Sequence, residues 1–158
     1  MKLISIFIGL SYWFFCFILF PAVFLELSEN LSLPIYTNTF LRFVGMLVFV
    51  VGLILLTYSY KDLVVKGKGT PIPTDPPKNL VIKGLYNYSR NPIYMTQWMI
   101  LLGTCLIFGS VLLYLYLILF ITSMHIWVLF EERELKKRFG EEYSNYEKKV
   151  PRYIPHIF

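Results

Sequence analysis

Charge is the scarcest commodity in this 158-residue chain, with ionisable acids and bases making up only 16% of it. A soluble domain carries about a quarter, so a water-soluble fold is excluded at the outset. Cysteine is nearly absent. Cys16 and Cys105 both sit inside apolar runs, where a thiol acts as a small hydrophobe, so no disulfide scaffold is expected. Long polar stretches are missing as well, which leaves no second domain and no disordered tract. The net charge of +5 comes from clusters and forms no stripe, so no nucleic-acid partner is expected. No metal is expected either.

Hydrophobic residues are what is plentiful, at 56% of the chain, with aromatics at 18%. The runs 3–25, 43–60 and 93–130 contain no Asp, Glu, Lys or Arg. Each of the first two matches the roughly 20 residues that cross a bilayer core as helix. The third is about twice as long and divides best at Gly109-Ser110, where glycine allows a tight reversal. The expected fold is all-α and integral to the membrane. It has four transmembrane helices over about 3–25, 41–60, 92–109 and 111–130, the last two forming a hairpin. The first run lacks the small-residue cleavage site of a signal peptide and is read as a retained span.

Lysine and arginine fall mostly in 61–90 and in the tail after Phe130, while 26–40 has neither. This asymmetry puts both termini and the central loop on the cytoplasmic side. A compact chain of this kind favours a prokaryotic plasma membrane, with the lipid bilayer as its first partner.

Those cytoplasmic segments are longer than connections require. The loop carries Pro71, Pro73, Pro76 and Pro77 and reads as an extended strap. Pro92, following Arg90 and Asn91, is suited to the first position of a helix. The start of such a helix offers free N–H groups and a positive dipole end, which suit a carboxylate. The tail opens with Glu131 and Glu132 at the point where the fourth span leaves the membrane, a depth at which carboxylates usually have a partner or ligand. Leu135 and Phe139 share a helical face that Gly140 ends, and a further surface helix follows. His125, inside the fourth span, is expected to be held by a neighbour.

Together these segments resemble the membrane methyltransferase superfamily of isoprenylcysteine carboxyl methyltransferases and phospholipid N-methyltransferases. The resemblance rests on Lys78, Asn79, Leu80 and Val81 and on Gly84, Tyr86, Arg90, Asn91, Pro92 and Tyr94. In the tail it rests on Glu131, Glu132, Leu135, Phe139, Gly140, Tyr143, Tyr146, Val150, Pro151, Arg152 and Pro155. It implies methyl transfer from S-adenosylmethionine to a lipophilic or small acceptor: an isoprenylcysteine-type carboxylate, a lipid amine or a thiol. It also implies that cofactor-site segments 66–94 and 127–155 hold the donor. Lys78, Asn79, Leu80 and Val81 would line it, with Tyr86 close by. Arg90, Asn91, Pro92 and Tyr94 would form the helix-start end, and Glu131 would contact the donor's ammonium or ribose.

Two departures stand out. Asn91 replaces the family's histidine and cannot titrate. Trp127 stands where isoprenylcysteine enzymes carry an arginine, so a substrate-facing indole takes the place of the cation for a prenylcysteine carboxylate. No general base is assigned. The competing reading, a small four-helix transporter or assembly protein without methyltransferase activity, predicts no affinity for the methyl donor.

Overall fold

The computed structural model describes residues 3–72 and 74–153; Pro73 and Pro155, invoked above, lie outside the described residues. Six α-helices follow in order: α1 (Leu3–Phe14), α2 (Phe20–Asn30), α3 (Thr39–Gly67), α4 (Pro92–Phe108), α5 (Val111–Phe139) and α6 (Glu141–Lys149). A π-helical turn over Phe15–Leu19 joins α1 to α2 without a break. No strand occurs among the described residues, only an isolated bridge between Ile35 and Ser110.

Three helical stretches are long and apolar enough to cross a membrane: Leu3–Asn30, Thr39–Gly67 and Val111–Phe139. The shorter apolar helix α4 has 17 residues, about 26 Å at ~1.5 Å per residue. The helices overrun the uncharged sequence runs at their ends, α2 by five residues past residue 25 and α3 by seven past Tyr60. Hydrogen bonding within a helix does not stop at the edge of an apolar run, so polar residues simply extend the rod.

Local chemistry sets the helix ends. Pro92 opens α4, and Gly109 closes it with φ +69°, a left-handed conformation that favours glycine. Ser110 then starts α5, so α4 and α5 form the hairpin expected from Gly109-Ser110. Asn38 caps α3 by accepting from the Leu41 N–H at 2.9 Å. In the π-helical turn the Cys16 carbonyl accepts from the Tyr116 hydroxyl at 2.8 Å, so α5 satisfies a group loosened by the bulge.

α3 and α4 pack backbone to backbone. A Cβ added at Gly103 would lie 2.7 Å from Phe49 N and 2.8 Å from the Gly45 carbonyl oxygen. One at Gly52 would lie 2.9 Å from Ile100. Small residues at both surfaces permit this approach, as is common between helices in lipid. The main buried cluster lies between α4 and α5, around Leu101, Cys105, Leu113, Tyr116, Leu117 and Phe120, with Tyr12 of α1 and Phe24 of α2 packed against it.

The strap from Lys68 to Lys83 folds back on the end of α3. The Gly67 carbonyl accepts from Lys78 N at 2.7 Å and Asn79 N at 3.1 Å, and Asn79 Nδ2 donates to the Lys66 carbonyl at 3.2 Å. Ser5 and Thr74 hydroxyls meet at 2.8 Å, tying the strap to α1. Gly84, at φ +70°, sits over Asp62, whose carboxylate would collide with any added Cβ. The tail returns to the same region: Arg90 N donates to the Pro151 carbonyl at 2.9 Å and Ser89 Oγ to the Arg152 carbonyl at 3.0 Å.

Candidate active site

Where strap, α4 start, α5 and α6 converge, they enclose a cleft with about 580 Å³ of unfilled space, counting its open mouth. Asn79, Leu80, Val81, Tyr86, Arg90, Asn91, Pro92, Tyr94 and Glu131 all line it, brought together from segments some 50 residues apart in the chain. Lys78 does not line it and instead gives its backbone N–H to Gly67. Trp127 lies in the wall of a neighbouring cavity.

The two adjacent glutamates have different partners. Glu131 faces the cleft and accepts from the Tyr94 hydroxyl at 2.6 Å. Glu132 is 7% exposed and knits the tail together. It accepts from Asn91 Nδ2 at 2.9 Å and Arg152 Nε at 3.0 Å, and it lies 3.4 Å from an Arg90 nitrogen. Asn91 thus ties the start of α4 to α5, and its side chain does not cap the helix. The second Arg90 terminal nitrogen is 3.4 Å from Glu147, which also pairs with Lys136. The Lys136 hydrogen bond holds the Glu147 carboxyl below its ordinary range. His125 Nδ1 meets the Tyr153 hydroxyl at 2.8 Å, the neighbour its position calls for.

The sequence reading left out Leu63 and gave Pro71, Pro77, Leu135, Phe139, Tyr143 and Tyr146 no individual role within the segments 66–94 and 127–155, and all seven line the cleft. The Tyr143-x-x-Tyr146 spacing was the available signal, since residues three apart share a helix face. Tyr146 donates its hydroxyl to the Tyr86 carbonyl at 2.5 Å, clamping α6 onto the strap. Tyr143 is 1% exposed, and burial drives its phenol well above the ordinary range, so it stays a donor.

Two buried polar atoms in the lining residues have no partner, Arg90 Nε and Tyr143 Oη. Such orphans cost ~1–3 kcal/mol each unless something completes them. Two donors, one carboxylate and apolar walls from Leu63, Val81 and Leu135 match a ligand bearing a carboxylate, a cation and a flat apolar ring. An amino-acid nucleoside such as S-adenosylmethionine fits that set.

A much larger cavity, about 1990 Å³ by the same measure, adjoins the cleft; Pro71, Ile93 and Tyr94 line both. Its walls are chiefly apolar, from α1, α3 and α5, with Trp127 among them. Its polar lining includes Tyr12, which donates to Gln97 Oε1 at 3.0 Å.

Comparison with known proteins agrees with this arrangement. Over 84 residues the chain is 37% identical to a protein-S-isoprenylcysteine O-methyltransferase of Schizosaccharomyces pombe, a stretch covering 49% of this chain and 34% of that relative. The chain therefore spans about a third of the relative's length. The phospholipid methyltransferase family pattern matches residues 40–142, which take in nearly all of α3, the strap, α4, α5 and all the cleft-lining residues except Tyr143 and Tyr146. With three membrane-length helices and that match over more than half its length, the chain belongs to the phospholipid methyltransferase family of integral membrane proteins.

Proposed function

We propose that the chain is a membrane methyltransferase carrying a methyl group from S-adenosylmethionine to a lipophilic acceptor at the cytoplasmic face. The observation that carries this reading is Tyr94. It lines both the cleft and the large apolar cavity, and its hydroxyl is fixed on Glu131. A donor in one chamber and an acceptor in the other would meet at that wall.

When bound, S-adenosylmethionine supplies an electrophilic methyl on a sulfonium. The chain's own task is then mainly alignment and exclusion of water. Arg90 Nε and Tyr143 Oη offer hydrogen bonds to a carboxylate, and Glu131 offers its oxygens to an ammonium or ribose hydroxyls. Asn79, Leu80 and Val81 flank the apolar part, with Tyr86 and Tyr146 as aromatic walls. Lys78 acts through its backbone, holding the strap on α3.

The acceptor reaches Tyr94 through the apolar cavity, whose volume suits a long chain. Trp127 contributes an apolar face there, which supports a lipid amine or thiol over a prenylcysteine carboxylate. The 17-residue α4 makes a fourth crossing that locally thins the bilayer, since ~26 Å falls a little short of a ~30 Å core. The lysine-rich segments lie at the cleft end of the bundle, which supports a cytoplasmic cleft and cytoplasmic termini. A prokaryotic plasma membrane is the setting we favour.

Calorimetric titration of S-adenosylhomocysteine into detergent-purified protein tests the reading. Micromolar binding, weakened at least tenfold by Glu131→Gln, is the expected result. Absence of binding to folded protein would overturn it, and binding indifferent to that substitution would remove Glu131 from the site.

A further inference from the structure

At the end of the bundle away from the cleft, α2 finishes at Asn30, α3 begins at Thr39, α4 finishes at Phe108 and α5 begins at Val111. Between them lies a cavity with about 770 Å³ of unfilled space, counting its mouth. Ser28, Glu29, Arg42 and Ser110 line it, against an apolar wall that includes Leu33 and Ile107. The methyl-transfer reading uses none of them.

The two charges, both exposed, each sit against their own helix dipole. Arg42 is the only lysine or arginine between Leu3 and Lys61, at the end of the molecule that is otherwise free of them. It sits in the first turn of α3, where the helix dipole disfavours a cation. Glu29 sits in the last turn of α2, where the dipole disfavours a carboxylate. Neither forms an ion pair among the described residues.

The two hydroxyls are equally unexplained by the fold. Ser110 occupies the N-cap of α5, yet its side chain does not cap the helix. It is 1% exposed and Ser28 is 3% exposed, and neither Oγ has a hydrogen-bond partner. The first N–H groups of α5, which lack partners within the helix, add donors at the same end.

We propose that this cavity holds the headgroup of a zwitterionic phospholipid. The phosphate is received by Arg42, Ser110 and the start of α5, the ammonium by Glu29, and the acyl chains run along the apolar wall. An anionic lipid would leave Glu29 with no cation, and free phosphate would leave the apolar wall unused. The length of α4 separates this cavity from the cleft, so the lipid is a resident of the fold and not a methyl acceptor.

Native mass spectrometry of delipidated full-length protein, reloaded with defined lipids, tests this. Dioleoyl phosphatidylcholine is the probe, because its fully methylated nitrogen cannot serve as an acceptor. One molecule per chain should be retained, with at least a tenfold preference over dioleoyl phosphatidylglycerol. Arg42→Gln and Ser110→Ala should each reduce retention at least fivefold, and Glu29→Gln should erase the preference. Circular dichroism should show unchanged helix content in all three. Equal retention by wild type and Arg42→Gln, a preference for phosphatidylglycerol, or binding of inorganic phosphate at the expense of lipid would overturn the proposal.

Discussion

Glu131 and Glu132 are neighbours in the chain, and the turn of α5 sends them to different tasks. Glu131 touches one hydroxyl and otherwise looks into the cleft, so its amide analogue keeps the Tyr94 hydrogen bond. Glu131→Gln should therefore change stability by less than ~1 kcal/mol. Its effect should appear in donor affinity, as a loss of at least tenfold (~1.4 kcal/mol), measured by calorimetry. Glu132 has no such freedom. Its removal leaves Arg90, whose side chain is 10% exposed, with Glu147 alone and frees Arg152. Glu132→Gln should cost about 3 kcal/mol, the usual penalty for breaking a buried ion pair, and should lower the thermal unfolding midpoint in detergent. Two conservative changes one residue apart should thus separate binding from folding.

Among the elements, the tightest seam is the one between α3 and α4. At Gly103 an added methyl would meet backbone atoms of α3, which cannot step aside, so Gly103→Ala should destabilise by about 1–3 kcal/mol. Gly9→Ala makes a useful contrast. Its added methyl would meet only the tip of the Ile72 side chain, 3.1 Å away and free to turn aside, and it should leave the unfolding midpoint nearly unchanged. Thermal unfolding of the two variants side by side checks both. Much at this scale was legible in the sequence, because uncharged length signals a span, proline fixes a helix start, and glycine marks a reversal. The pairing of Gly103 with Gly45 was not legible, since an isolated glycine in an apolar run does not announce which helix will approach it. Nor was the role of Asn91: the resemblance put it at the helix-start end of the donor site, and its amide binds Glu132, a partner 41 residues away. Arg90 and Tyr143 were visible as residues, but that both line one cleft depends on a return of the tail that periodicity does not encode.

For the molecule as a whole, the cleft depends on a charge network across its outer edge. Lys136, Glu147 and Arg90 link α5, α6 and the segment before α4. Because the Glu147 carboxyl titrates below its unfolded value of about 4.5, its contribution is present above that pH and disappears as the pH falls through the lower, folded value. Unfolding midpoints measured from pH 6 down to pH 3 should decline, and Glu147→Gln should flatten that part of the decline. The outermost layer of this edge is the tail, which closes on Tyr86, Ser89 and Arg90 through Tyr146, Pro151 and Arg152. Those closing residues are also the last of the described chain to leave the ribosome. The membrane helices are therefore made before the segment that closes the cleft, which stays an open trough until residue 152 has emerged and folded back.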